Sequence, residues 1–359
     1  MKSRNRIQYI DLAKGIGILA VLWGHILLSG WSYVLVYAFD IPMFFFLSGM
    51  VYNPSKYERF KDFIKSRIKS LLIPYLFFSI ATWVIWVGHN LVLKLPVDNY
   101  WYPLFQTFIA QGSGGFLIHN VPLWFVTCLF VVEVMYYFIS KFSELMNLTI
   151  CLLFAFIGYV FVYIGWTKLP WNIEAAFSVI IFYAAGHLCV DHYGKLCFPE
   201  FCNRHKKSVW FMLAVFSVLF ICGALWNGHI TFGSNCLGKS VYTTYCVAFM
   251  GIVIVLTICA MLSINVHNWC TYLCWIGEHS FCFMAMHFPV KRFIAAIVSK
   301  IFGVSGEEIS RSVPYSFIVF LISLAVTSLA VKILIMLKCS LDQHIYMRAN
   351  KDKCAANGL

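Results

Sequence analysis

The chain has 359 residues, 61% of them hydrophobic and 12% charged, with a net charge of +12 and a mean hydropathy of +0.79. A soluble core of this size could not hide so much apolar surface, and apolar runs of roughly 18 residues or more, the length of a membrane span, recur along the whole sequence. A soluble enzyme is therefore excluded, and the basic excess is assigned to loops beside a membrane, with membrane lipids and no nucleic acid as partners.

The pattern predicts an all-α polytopic membrane bundle of about ten transmembrane helices. A membrane barrel would instead show alternating segments of about ten residues. The spans are expected at 9–29, 33–52, 71–93, 122–140, 147–166, 175–190, 208–226, 241–262, 272–289 and 314–337. The sixth is short and the ninth is interrupted by polar residues. The first is too long for the apolar core of a cleaved signal peptide, and no small-residue cleavage site follows it. With the N-terminus inside, eighteen Lys and Arg fall on the cytoplasmic side and seven on the other. Both termini are therefore expected in the cytoplasm. Residues 1–340 form one membrane module, and 341–359 a cytoplasmic tail.

Two connections on the other side are too long for simple turns. The first, 94–121, contains YWYPLFQTFIAQGSGG and is expected either to lie in the interface or to re-enter the bundle. The second, 290–313, with VKRFIAAIVSKIFGV, is expected to be an interfacial helix. No internal repeat is evident. Most of the fourteen cysteines lie inside apolar runs, where they act as small hydrophobes. Cys197 and Cys202 flank a short polar loop. Neither disulfides nor a metal site is expected.

The first span carries three ionisable groups. Lys14 and His25 are eleven positions apart, about three turns plus 20°, so they share one helix face about 16 Å apart along the axis. Asp11 lies near the same face. Ionisable groups in lipid cost about 2.5–3.5 kcal/mol on insertion scales and normally face the bundle interior. An Asp11–Lys14 pair at the membrane edge and an ordinary interhelical hydrogen bond from His25 would also fit. Asp40, Glu133, His187, Glu278, His279 and His287 add further polar groups, which together imply a hydrated cavity. The loop at 53–70 has six basic residues, with Lys65, Arg67 and Lys69 leading into the third span. Positive-inside charge alone would account for them, and so would recognition of a phosphorylated cytosolic donor.

In order and spacing, YIDLAKGIGILAVLWGH, IPMFFFLSGMVY, FIKSRIKSLLIPY, PLWFV, FYAAGHL and WIGEHSFCFMAMH resemble the integral-membrane acyltransferase-three family. The IDLAKGIGI form looks most like its fucose and surface-polysaccharide O-acetylases. The resemblance implies an inner-membrane enzyme, of bacterial type, that transfers acetyl from cytosolic acetyl-CoA to a hydroxyl of a cell-envelope glycan such as O-antigen or exopolysaccharide. It implies no permanently bound cofactor. His25 matches the family's essential histidine, and Lys14 stands where arginine is commoner. Asp11 would balance Lys14. Arg67, with Lys69 and Lys65, would hold the donor; Ser70 occupies a position where a second arginine is frequent. Glu133, His287 and Asp40 are acceptor or supporting candidates. A flippase for lipid-linked glycans is the alternative that shares ten spans, inner charges and aromatic outer loops.

Overall fold

The computed structural model describes residues 7–112, 114–165, 169–264 and 268–356, with side chains described except at 193–197, 268, 341 and 344–356. The basic N-terminal residues and Lys168, counted above for orientation, lie outside the described residues, as do the side chains of most of the expected tail.

Ten helices among the described residues are long and apolar enough to cross a membrane. The first crossing is α1 (Gln8–Ile26), and the second is split into α2 (Gly30–Tyr37) and α3 (Asp40–Met50). Gly30 has φ of +85°, so the turn between the first two crossings uses a conformation open to glycine. Helix α4 (Phe60–Arg67), a π-helical turn at Ile68–Leu72 and α5 (Ile73–Val92) make the third crossing. The short α6 (Tyr102–Ile109) precedes α7 (Trp124–Ile139), α8 (Glu144–Tyr163), α9 (Ile173–Arg204) and α10 (Lys206–Asn227). Strands β1 (Ile230–Thr231) and β2 (Cys236–Leu237) pair antiparallel. Helices α11 (Val241–Leu262), α12 (Asn268–Glu278), α13 (Ser280–Phe302), α14 (Gly306–Arg311) and α15 (Val313–Ala356) complete the chain.

Small residues set the closest helix crossings, because in lipid packing depends on backbones approaching one another. Gly15 of α1 lies against the Leu273 carbonyl, and Gly277 of α12 against the Asp11 carbonyl. Gly49 of α3 and Gly186 of α9 make the same kind of reciprocal contact with the Tyr183 and Phe46 carbonyls. Further along, His25 meets His287 of α13. Helix α1 and the α12–α13 pair therefore run side by side in the same direction.

Two expectations are corrected. The ninth crossing is α13, which continues to Phe302, and the expected interfacial helix is part of it from Val290 to Phe302. Its basic residues, Lys291 and Arg292, are half-buried rather than displayed to one side; Arg292 donates to the Ile118 carbonyl at 2.8 Å. The sixth crossing is not short: α9 has 32 residues, and the Cys197–Cys202 stretch is helical, Pro199 included. Helix α15 continues past Ser340, where its apolar span ends.

The long connection after α5 re-enters the bundle. Tyr75 Oη donates to the Thr107 carbonyl at 2.6 Å, and Ser79 Oγ lies 2.9 Å from Thr107 Oγ1 and 3.1 Å from His119 Nε2. Ser79 is about 20 Å back along α5 from Val92. Irregular backbone is tolerated at such depth only where protein covers it. Here Asn120 Nδ2 donates to the Ala285 carbonyl at 2.7 Å and Gly112 N–H to Asn172 Oδ1 at 2.9 Å. The β1–β2 turn also folds inward, with Ile230, Phe232 and Asn235 buried.

Candidate active site

The polar stripe of α1 lines open space. Lys14, Ile18, Val21 and His25 form one wall of a cavity of about 160 Å³ closed by Phe44, Ser48, Leu129 and Met284. A second cavity, of about 300 Å³, is lined by Tyr33, Tyr37, Asp40, His229, Gly233 and Ser234, with His25 again on its wall. Val21, His25, Ile41 and Trp124 belong to both. His25 thus stands where two chambers meet, one toward Lys14 and one beneath the inward-folded connections.

The rings around His25 are aromatic. His287 stacks on it with centroids 5.3 Å apart and planes at 29°, while Phe288 and Tyr37 present edges at 5.7 and 6.4 Å. His287 is buried, and its Nδ1 lies 3.1 Å from the Phe283 carbonyl. A ring nitrogen facing a carbonyl must carry the proton, so Nε2 holds a bare lone pair. That Nε2 is buried and has no partner among the described residues.

Breaks in two helices border this region. The second crossing is interrupted at Ala38–Phe39, and Asp40 begins α3 with its Oδ1 accepting the Ile41 N–H at 2.7 Å. A carboxylate is favoured at a helix N-terminus by the exposed N–H groups and the macrodipole. Asp40 is buried yet lines the second cavity. In the same chamber the His229 ring stacks on Tyr33 at 5.3 Å with planes 8° apart, and its Nε2 lies 2.8 Å from Thr231 Oγ1. Burial holds the His229 imidazole below its ordinary titration range.

The basic cluster is split. Arg67 turns inward: its Nη1 lies 3.2 Å from Glu133 Oε2, and its Nη2 donates to Tyr57 Oη at 3.0 Å. The side chains are 23% and 7% exposed, so this pair is largely removed from solvent. Lys65 on α4 and Lys69 on the π-helical turn are exposed. Glu133, an acceptor or supporting candidate, is paired with the donor-binding candidate Arg67. It lies one turn of α7 beyond Leu129 of the first cavity. π-Helical turns recur at functional sites, and this one directly follows Arg67.

The remaining candidates separate. Asp11 is half-buried, off the lining of both chambers, and its carbonyl takes part in the α1–α12 crossing. His187 belongs to another polar group, 2.9 Å from Tyr136 Oη and 3.5 Å from Asp191. His279 Nδ1 lies against the Trp275 carbonyl at the α12–α13 break. Sequence reasoning missed Tyr33, Tyr37, His229 and Tyr57. Tyr57 carried a signal, because it sits in the same basic loop as Arg67; His229 carried none.

The profile of the family described as an acyltransferase domain, acyltransferase-three, matches residues 7–337. The chain belongs to that family. This acyltransferase is an integral membrane enzyme by its ten apolar helices and its membership. No curated protein and no solved structure matches it.

Proposed function

We propose that this acyltransferase takes acetyl from cytosolic acetyl-CoA and delivers it across the membrane to a hydroxyl of a cell-envelope glycan. One observation carries the reading: a single imidazole, His25, borders two adjoining chambers, one with Lys14 on its wall and one with Asp40. A donor that cannot cross the membrane and an acceptor that does not return to the cytosol need such a meeting point.

The Lys14 chamber takes the donor. Arg67, Lys65 and Lys69 attract the coenzyme phosphates at the cytoplasmic mouth, and both termini lie on that side. The pantetheine arm passes Lys14. The Asp40 chamber takes the sugar, whose hydroxyls find a carboxylate, a tyrosine pair and backbone polar groups. His25 removes the proton from the attacking hydroxyl. The new C–O bond forms, the thioester C–S bond breaks, and coenzyme A leaves as the thiol with the proton that His25 held. A neutral imidazole suits this role because it can both accept and return a proton. His287 holds the His25 ring by stacking and offers its bare Nε2 beside it.

The test is mass spectrometry of the surface glycan with and without the gene, and with His25→Ala. Loss of one acetyl increment from the glycan in both altered strains supports the reading. An unchanged acetyl content overturns it, and lost export with no change in acetylation points to a flippase.

A further inference from the structure

Trp124, in the PLWFV stretch that opens α7, has no role in the reaction just described. It is one of the four residues common to both chambers, and it has by far the largest side chain of the four. Its indole is 7% exposed and occupies a slot between two glycines. A methyl group built on Gly112 would lie 2.6 Å from Trp124 Cγ, and one on Gly233 would lie 2.7 Å from Cε2. No residue larger than glycine fits at either place without moving the ring.

The two glycines come from different inward folds, one from the connection before α7 and one from the β1–β2 turn. Asn172, fully buried, joins them. Its Oδ1 accepts the Gly112 N–H at 2.9 Å, and its Nδ2 donates to the Gly233 carbonyl at 2.8 Å. Asn172 is held at φ of +53°, a conformation that asparagine tolerates better than most residues. The slot is therefore fixed from both sides by one amide.

We infer that Trp124, clamped by Asn172 through Gly112 and Gly233, is a fixed partition that keeps water in the Asp40 chamber from the Lys14 chamber. The inference rests on the acyl-transfer reading. His25 would deprotonate water as it would an alcohol. Water oxygen would then attack the acyl carbon, the C–S bond would break, and the products would be the free carboxylic acid and coenzyme A thiol. Enclosure prevents this kind of side reaction. A rigid planar side chain can confine access to the acyl carbon to the opening beside His25, which a bound sugar fills as its hydroxyl attacks.

Two measurements on the full chain in vesicles test it. In the first, Ser48→Cys places a thiol in the Lys14 chamber. A membrane-impermeant maleimide is added on the Tyr33 side, and its attachment at position 48 is located by peptide mass. Trp124→Ala, and separately Asn172→Ala, should speed labelling about tenfold or more, while Trp124→Phe should restore most of the protection. Unchanged labelling in both alanine variants overturns the partition. Gly112→Ala and Gly233→Ala keep the tryptophan and displace it, so they serve if Trp124→Ala fails to fold; protection equal to wild type in both also overturns it. In the second, acetyl-CoA is supplied without acceptor and released thiol is measured. The rate of thiol release without acceptor, divided by the rate of acetyl transfer in a parallel assay with acceptor, should rise about tenfold in Trp124→Ala, and an unchanged ratio overturns the shielding role. A wild-type protein that neither transfers nor hydrolyses acetyl-CoA overturns the acyl-transfer reading alone, because labelling does not depend on the donor.

Discussion

The rings of His25 and His287 stack at 5.3 Å across α1 and α13, 262 positions apart in the sequence. One imidazole faces both chambers; the other keeps a bare buried nitrogen, its Nδ1 lying against the Phe283 carbonyl. Removing a general base costs roughly a hundredfold to ten-thousandfold in rate. His25→Ala should therefore abolish measurable transfer with normal protein abundance. His287→Ala, which loosens the ring without deleting it, should cost about tenfold in kcat by the same scale. Transfer assays on matched amounts of membrane protein decide, and full activity in His25→Ala would discard the assignment.

The Arg67–Glu133 pair is a different kind of target. Deleting one partner of a buried ion pair leaves the other uncompensated, at a cost on the order of 3 kcal/mol. Arg67→Ala should lower the unfolding temperature and raise the KM for acetyl-CoA. The double variant Arg67→Ala, Glu133→Ala should regain much of the stability and none of the donor affinity. Thermal unfolding beside donor KM separates the two roles, and recovery of both together would make the pair purely structural.

Asp40 and His229 lie only on the second chamber. Asp40→Asn and His229→Ala should raise the KM for the glycan about tenfold, the effect of one hydrogen bond to a charged group or less, while leaving the KM for acetyl-CoA near its original value. A donor KM that rises equally would show that the two chambers do not divide the substrates.

His119 supplies a pH dependence. Burial, with Arg292 nearby, lowers its pKa from 6.5 to about 4. The folded protein therefore holds this imidazole neutral where the unfolded chain would be protonated. Its contribution to stability is fully present above about pH 6.5 and is lost as pH falls toward about 4. Unfolding temperatures measured from pH 7.5 down to pH 4.5, values chosen to span about that window, should fall more steeply for wild type than for His119→Gln. Parallel curves would mean that His119 does not titrate in this range.

The spans were legible because apolar length is a property of composition. The Lys14–His25 face was legible because helical periodicity is local. Pairings that depend on tertiary placement were not. Nothing near Glu133 in the sequence points to Arg67, 66 positions away. His229 lies in an unremarkable connection and gains its place only when the β1–β2 turn folds over Tyr33. The ninth span was misplaced because the Lys291–Arg292 pair resembles a span end, while Glu278 and His279 were read as interruptions inside the span rather than as the break between two helices. Burial of Arg292 against the re-entrant connection removes that penalty.

The tie between Asn120 and the Ala285 carbonyl joins residues 165 positions apart. The connection that roofs His25 is held by α5 through Thr107 and His119, and gains this second anchor only once α13 is in place. A chain ended before α13 would carry His25 without its stacked neighbour His287 and without the far end of that tie.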